Sequence, residues 1–188
     1  MMNTKHIVIT MAILACIVSP LLAKGGKGKG GGTTAPVLSE KEASDLIFLR
    51  EEEKLARDVY LALYDVWGTS IFLNISASEQ KHTDAVKGLI DKYGLVDPVV
   101  VDDPGVFTNP DLAQYYIDLV AQGTGEGATL EDALNVGVFI EELDIHDIKD
   151  LMLPDATQTD VQRVLANLLA GSYNHLDAFE KLLAALPE

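Results

Sequence analysis

Four long stretches of this chain carry apolar residues at three- and four-residue steps, and the links joining those stretches differ sharply in length. An α-helix brings residues i, i+3 and i+4 onto one face, so each stripe marks a side that must be buried. Leu46, Leu49, Ala56, Leu63 and Trp67 form the first stripe; Ser39 and Glu42 make a capping box before it, and Gly68 ends it. A second helix is expected over Ser70–Tyr93, with Phe72, Ile75, Val86, Leu89 and Ile90 apolar and Gly94 at its close. The segment 94–110 reads as loop and leaves room for one short strand, Val99–Val101, with no partner nearby. Pro110 opens a short helix over Asp111–Ala121, which the glycine-rich run at 123–127 breaks. Thr129 caps a third long helix, Leu130–Met152, stopped by Pro154, and Thr157 or Thr159 starts a fourth, Asp160–Leu186.

The unequal links fix the topology. Short links join the first helix to the second and the third to the fourth, so each pair should be an antiparallel hairpin. About 35 residues separate the second helix from the third. The expected fold is therefore all-α: a four-helix bundle with one long crossover, carrying a short extra helix, between helices 2 and 3.

Residues 1–36 lie outside this pattern. The run "IVITMAILACIVSPLLA" after Lys5, with Pro20 near its end and Ala23 at a cut, has the layout of a secretory signal peptide over 1–23. An uncleaved membrane anchor and a lipoprotein acylated at Cys16 are the alternatives. The segment "KGGKGKGGGTTAP", 24–36, has too little apolar surface to order itself and is expected to be a flexible linker. The folded domain should then span 37–188, in a protein exported to a periplasmic or extracellular space. Cys16 is the only cysteine and would leave with the leader, which excludes disulfides and thiolate metal sites. The formal charge is −15, one unit more negative without the leader, and such a surface is a poor match for nucleic acid or an anionic membrane. A homodimer is compatible with the sequence.

Each long helix interrupts its own stripe with ionisable or polar residues near its middle. The first reads Leu46, Leu49, Glu53, Ala56, Tyr60, Leu63, Trp67; the second Phe72, Ile75, Glu79, His82, Val86, Leu89. The third reads Gly137, Glu141, Asp144, Ile148, Leu151, and the fourth Leu168, Ser172, His175, Phe179, Leu182. Stripe phase picks Glu53 over Glu52 and Glu141 over Glu142, leaving the rest of "REEE" as a solvated charge run. Burying an isolated carboxylate costs several kcal/mol. Four acids and two histidines at one level of a core therefore call for compensating cations. Two divalent ions match the charge, and oxygen with imidazole donors suits iron first and manganese second.

These residues resemble the ferritin-like di-iron carboxylate superfamily, which takes one Glu from each of two helices and Glu-x-x-His from each of the other two. More closely, "EEEKLARDVYLALYDVWG", "FLNISASEQKHTDAV", "VGVFIEELDIHDIKDL" and "GSYNHLDAF" resemble an uncharacterised ferritin-like family, the domain of unknown function 2202, over about Leu46–Leu183. The resemblance implies an all-α ferritin-like four-helix bundle with a di-metal centre. Glu53 and His82 would ligate one metal and Asp144 and His175 the other, with Glu79 and Glu141 bridging. Tyr60 would be a packing residue first, or else a catalytic neighbour as hydrogen-bond partner or radical relay. Ser172 stands where the superfamily has glutamate, and Asp144 adds a carboxylate on the third helix. The implied activity is that of an oxidase, ferroxidase or peroxide reductase using O2 or peroxide. A non-catalytic metal-binding or sensing module, or a purely structural helix bundle, are the alternatives.

Overall fold

A computed structural model of the protein describes residues 37–187. The expected leader and linker, 1–23 and 24–36, lie outside the described residues. The described part is all-helical: α1 (Glu40–Trp67), α2 (Ser70–Tyr93), α3 (Pro110–Thr124), α4 (Leu130–His146), a π-helical turn (Asp147–Met152) and α5 (Thr159–Ala184). Val99–Val101 forms no strand.

The helix ends follow their local chemistry. Ser39 accepts from the Glu42 amide while the Glu42 side chain reaches back to the Ser39 amide, and Thr129 with Asp132 repeats the device before α4. Gly68 closes α1 at φ 61°, a left-handed conformation that a side chain would disfavour, and this lets α2 start two residues later. Asn109 caps α3 with Pro110 in its first turn.

Two apolar clusters fill the interior. One holds Ala56, Tyr60 and Leu63 of α1 with Phe72 and Ile75 of α2, Leu134 and Ile140 of α4, and Phe179 of α5. The other holds Leu46 and Leu49 of α1 with Val86 and Ile90 of α2, Ile148 and Met152 of the π turn, and Leu165 and Leu168 of α5. Each long helix, α4 through its π-helical extension, runs from one cluster to the other. The order of residues shows that α1 is antiparallel to α2 and α4 to α5, while α2 and α4 point the same way. The crossover, carrying α3, travels the length of the bundle to make that possible. No helix among the described residues is long and apolar enough to cross a membrane.

Two sequence expectations change. Arg50, Glu51 and Glu52 are buried rather than solvated, because the crossover and the packing of neighbouring helices cover the other sides of α1. Arg50 pairs with Asp97, and Glu51 accepts from the Thr108 and Asn109 amides. Lys54, fully buried, pairs with Asp58, donates to the Asp103 carbonyl and lies over the Phe107 ring; Arg57 pairs with Asp58 and Asp102. The third stripe also shifts at its end: Leu151 is exposed and Met152 buried. The π-helical turn holds more residues per turn, which moves the inward position one residue along.

Candidate metal centre

Between the two apolar clusters lies a polar layer. Glu53 of α1, Glu79 of α2, Glu141 and Asp144 of α4, and Ser172 and His175 of α5 are buried, and the His82 side chain keeps 12 % of its exposure. All stand within helices; Asp144 lies in the last turn of α4, just before the π-helical turn. Glycine makes room for the rings: a Cβ on Gly171 would come within 2.6 Å of Cε1 and Nε2 of His82. The ring therefore lies against the backbone of α5, with Nδ1 turned to the acids.

Two groups of three converge. The candidate ligand atoms of Glu53, Glu79 and His82 lie within 4.8 Å of one another, as do those of Glu79, Glu141 and His175. Glu79 belongs to both and divides its oxygens: Oε2 is 2.7 Å from His82 Nδ1 and Oε1 is 2.7 Å from His175 Nδ1. His82 Nδ1 stands 3.2 Å from Glu53 Oε2, and His175 Nδ1 3.5 Å from Glu141 Oε2. The two imidazoles stack with centroids 5.5 Å apart. The Tyr60 hydroxyl donates to Glu141 Oε1 at 2.6 Å.

Beyond the Tyr60–Glu141 and His82–Glu53 hydrogen bonds, these crowded atoms do not satisfy one another. Glu53 Oε1, both Glu79 oxygens, Glu141 Oε2 and His175 Nδ1 are buried without a hydrogen-bond partner. The 2.7 Å approaches to Glu79 are thus ion-pair contacts that lack hydrogen-bond alignment. Carboxylate and imidazole atoms thus converge with oxygens left over, as ligands around a cation do. Oxygen and imidazole donors with no thiolate fit iron or manganese.

The charges reflect the same crowding. Burial pushes the Glu53 carboxyl up to about 8, against the pull of His82 and with the push of Glu79. Burial likewise lifts Glu141 to about 7, opposed by His175. For Glu79 burial acts upward too, but the flanking His175 and His82 outweigh it and bring it down to about 2. Burial would lower the histidines, yet the facing carboxylates raise His82 to about 10 and His175 to about 9. The raised His82 and His175 imidazoles are thus the positive neighbours that oppose burial at Glu53, Glu79 and Glu141. Metal binding would displace their protons and free both Nδ1 lone pairs.

Five of the expected ligands, Glu53, Glu79, His82, Glu141 and His175, come together in the two trios. Asp144 lies in the layer, its carboxyl raised by burial and then by Glu53, Glu52, Glu141 and Glu79, but it belongs to neither trio. Glu79 alone is shared, and Glu141 rather than Asp144 accompanies His175. Glu142 is exposed. The Ser172 hydroxyl turns back onto the Leu168 carbonyl at 3.2 Å and satisfies itself within α5. Among the buried acids off the stripes, Glu52 and Asp147 have both oxygens without a hydrogen-bond partner. The spacing Glu141, Asp144, Asp147 was the available signal for the second.

A family model described as "Uncharacterized protein domain (DUF2202)" matches residues 42–185, which include both trios. The uncharacterized protein MJ0754 of Methanocaldococcus jannaschii is 48% identical over 146 residues, 78% of this chain and 77% of that protein. The crystal structure of hypothetical protein MJ0754 matches with a TM-score of 0.76 at 45% identity, covering 82% of this chain and 86% of that one. A crystal structure of a DUF305 fragment from Deinococcus radiodurans matches with a TM-score of 0.64 over 80% of this chain and all of that one. Its identity is 14%, so that likeness is one of fold alone.

Proposed function

The chain belongs to the DUF2202 family, and we propose that it is a ferritin-like protein holding two divalent metal ions, iron before manganese, in its core. The carrying observation is the convergence of buried carboxylate and imidazole atoms that have no hydrogen-bond partner. Parallel α2 and α4 joined by a long crossover support the ferritin-like reading. Glu53 and His82 would hold one ion, Glu141 and His175 the other, and Glu79 both. Asp144, beside them and unpartnered, adds a carboxylate that a cation in the layer would neutralise.

Iron held there would supply electrons and open coordination positions for reducing O2 or peroxide, with Fe(II) or a small organic reductant as electron source. The chain's own part is positioning. Tyr60 donates to Glu141 and fixes its carboxylate plane. The apolar clusters above and below keep bulk water from the layer, which meets solvent only at the edges of His82 and His175. Small reactants would enter along that histidine edge.

Anaerobic Fe(II) loading followed by O2 tests the reading. A new near-ultraviolet band and Fe(II) loss faster than in buffer are expected; neither appearing would overturn the redox function. A non-catalytic metal-binding module is the second reading, favoured by Ser172, whose hydroxyl is spent on Leu168. It predicts tight binding without O2-dependent change. Export of the mature chain from residue 24 onward is part of the proposal, and the mass of the protein recovered from its native host checks it.

A further inference from the structure

The two trios are assembled from different parts of the bundle. Glu53, Glu79 and His82 all stand on α1 and α2, one antiparallel hairpin whose link is only Gly68 and Thr69. The last helix, α5, enters that trio as a wall, with Gly171 against the His82 ring. Glu79, Glu141 and His175 stand on α2, α4 and α5, so the second trio exists only where that hairpin meets the α4–α5 pair. The approaches differ accordingly. His82 Nδ1 is 2.7 Å from Glu79 and 3.2 Å from Glu53, whereas His175 Nδ1 is 2.7 Å from Glu79 and 3.5 Å from Glu141. The oxygens differ as well. Glu53 Oε1 has no partner, and Glu53 Oε2 meets only the His82 ring. Glu141 Oε2 is also unpartnered, but Glu141 Oε1 takes the Tyr60 hydroxyl at 2.6 Å. On α5, Ser172 and His175 repeat the spacing of Glu79 and His82, yet Ser172 brings no charge and its hydroxyl is spent on the Leu168 carbonyl.

We propose that the two positions are unequal and fill in a fixed order. Glu53, Glu79 and His82 take the first divalent ion and hold it the more tightly; Glu79, Glu141 and His175 take a second, more readily exchanged ion. The inference rests on the di-metal reading. Affinity for a hard cation follows the number and charge of its oxygen donors and the rigidity of the cage. Both oxygens of Glu53 are open to an ion, against one of Glu141. A hairpin with so short a link also holds its ligands with less left to order on binding than a site spread across both hairpins. Glu79 compounds the difference. Its charge is shared, so once one ion has drawn on it less remains for the next, and two cations on opposite oxygens of one carboxylate repel each other. Tyr60 acts on the second position, through Glu141.

Anomalous diffraction from crystals of the full chain, freed of metal by chelator and then given one equivalent of Mn2+, tests the order. One peak among Glu53, Glu79 and His82 is expected, joined by a second among Glu79, Glu141 and His175 only when Mn2+ is in excess. Equal peaks at one equivalent, or a first peak beside His175, would overturn the order while upholding the di-metal reading. A single peak in excess Mn2+, or none, would refute the di-metal reading and the order with it. Titration in solution, read by the electron paramagnetic resonance of free Mn2+, gives a second measurement. The unaltered chain should show two binding classes, of which Glu53→Gln loses the tighter and Glu141→Gln the weaker. Loss of the tighter class from Glu141→Gln, with the weaker kept, would overturn the assignment.

Discussion

Glu79 is the single residue common to both trios, so Glu79→Gln, which keeps the shape and removes the charge, perturbs both candidate sites at once. An ion present at a hundred times its dissociation constant stabilises the folded chain by about 2.7 kcal/mol per site. The described domain is about 150 residues long, a size at which each kcal/mol moves Tm by ~2–4 °C. One filled site should therefore raise Tm by ~5–11 °C, and two independent sites by about twice that. An amide presents one neutral oxygen and one N–H2 group, so it cannot serve an ion at each end as the carboxylate can. In Glu79→Gln most of the metal-induced shift should vanish. The assay is calorimetric melting of the unaltered and substituted full chains after chelator treatment, with and without Fe(II) under argon or Mn(II). A substituted chain that keeps the whole shift, or an unaltered chain whose Tm ignores metal, would refute the reasoning.

Three further outcomes follow from particular contacts. Tyr60→Phe removes the hydrogen bond to Glu141 Oε1 and should weaken metal binding by ~10–100-fold, measured by competition with a chelator; unchanged affinity would mean Tyr60 is packing alone. Gly171→Ala puts a Cβ 2.6 Å from two atoms of the His82 ring, and should cost ~1–3 kcal/mol of stability together with metal affinity; a loss of stability with affinity intact would separate packing from ligation. Glu42 accepts from the Ser39 and Thr157 amides at 2.9 and 2.6 Å; burial acts to raise its carboxyl, but these hydrogen bonds prevail and hold it down at about 2. Because the folded value lies below the unfolded one, its contribution is fully present above about pH 4.5 and disappears as pH falls toward 2. Glu42→Gln should thus cost ~1–2 kcal/mol near neutrality, with a gap in denaturant midpoint that closes between pH 5 and 2; a constant gap would contradict the assignment.

Much of this was legible in the sequence because it is periodic. The stripe Leu46, Leu49, Glu53, Ala56, Tyr60, Leu63 named the inner face of α1 residue by residue, and "EQKH" on α2 placed Glu79 and His82 on one side of a helix. Capping boxes at Ser39 and Thr129 fixed two helix starts. What escaped depended on neighbours that periodicity does not see. Glu51, Glu52 and Lys54 lie off the stripe, yet they are buried, because the crossover and the π turn cover the other sides of α1. The π turn itself broke the phase, exposing Leu151 and burying Met152. The division of carboxylates also escaped. Spacing puts Glu141 and Asp144 on the same face, but only the packing of α5 against α4 decides that Glu141 meets His175.

Metal in the polar layer is what separates a di-metal centre from a cluster of buried acids. Anomalous diffraction at the iron edge, from crystals of the protein loaded anaerobically with Fe(II), measures this directly. The expected result is one peak among Glu53, Glu79 and His82 and another among Glu79, Glu141 and His175. An ordered polar layer with no anomalous density at either position, in a protein given excess Fe(II), would contradict it.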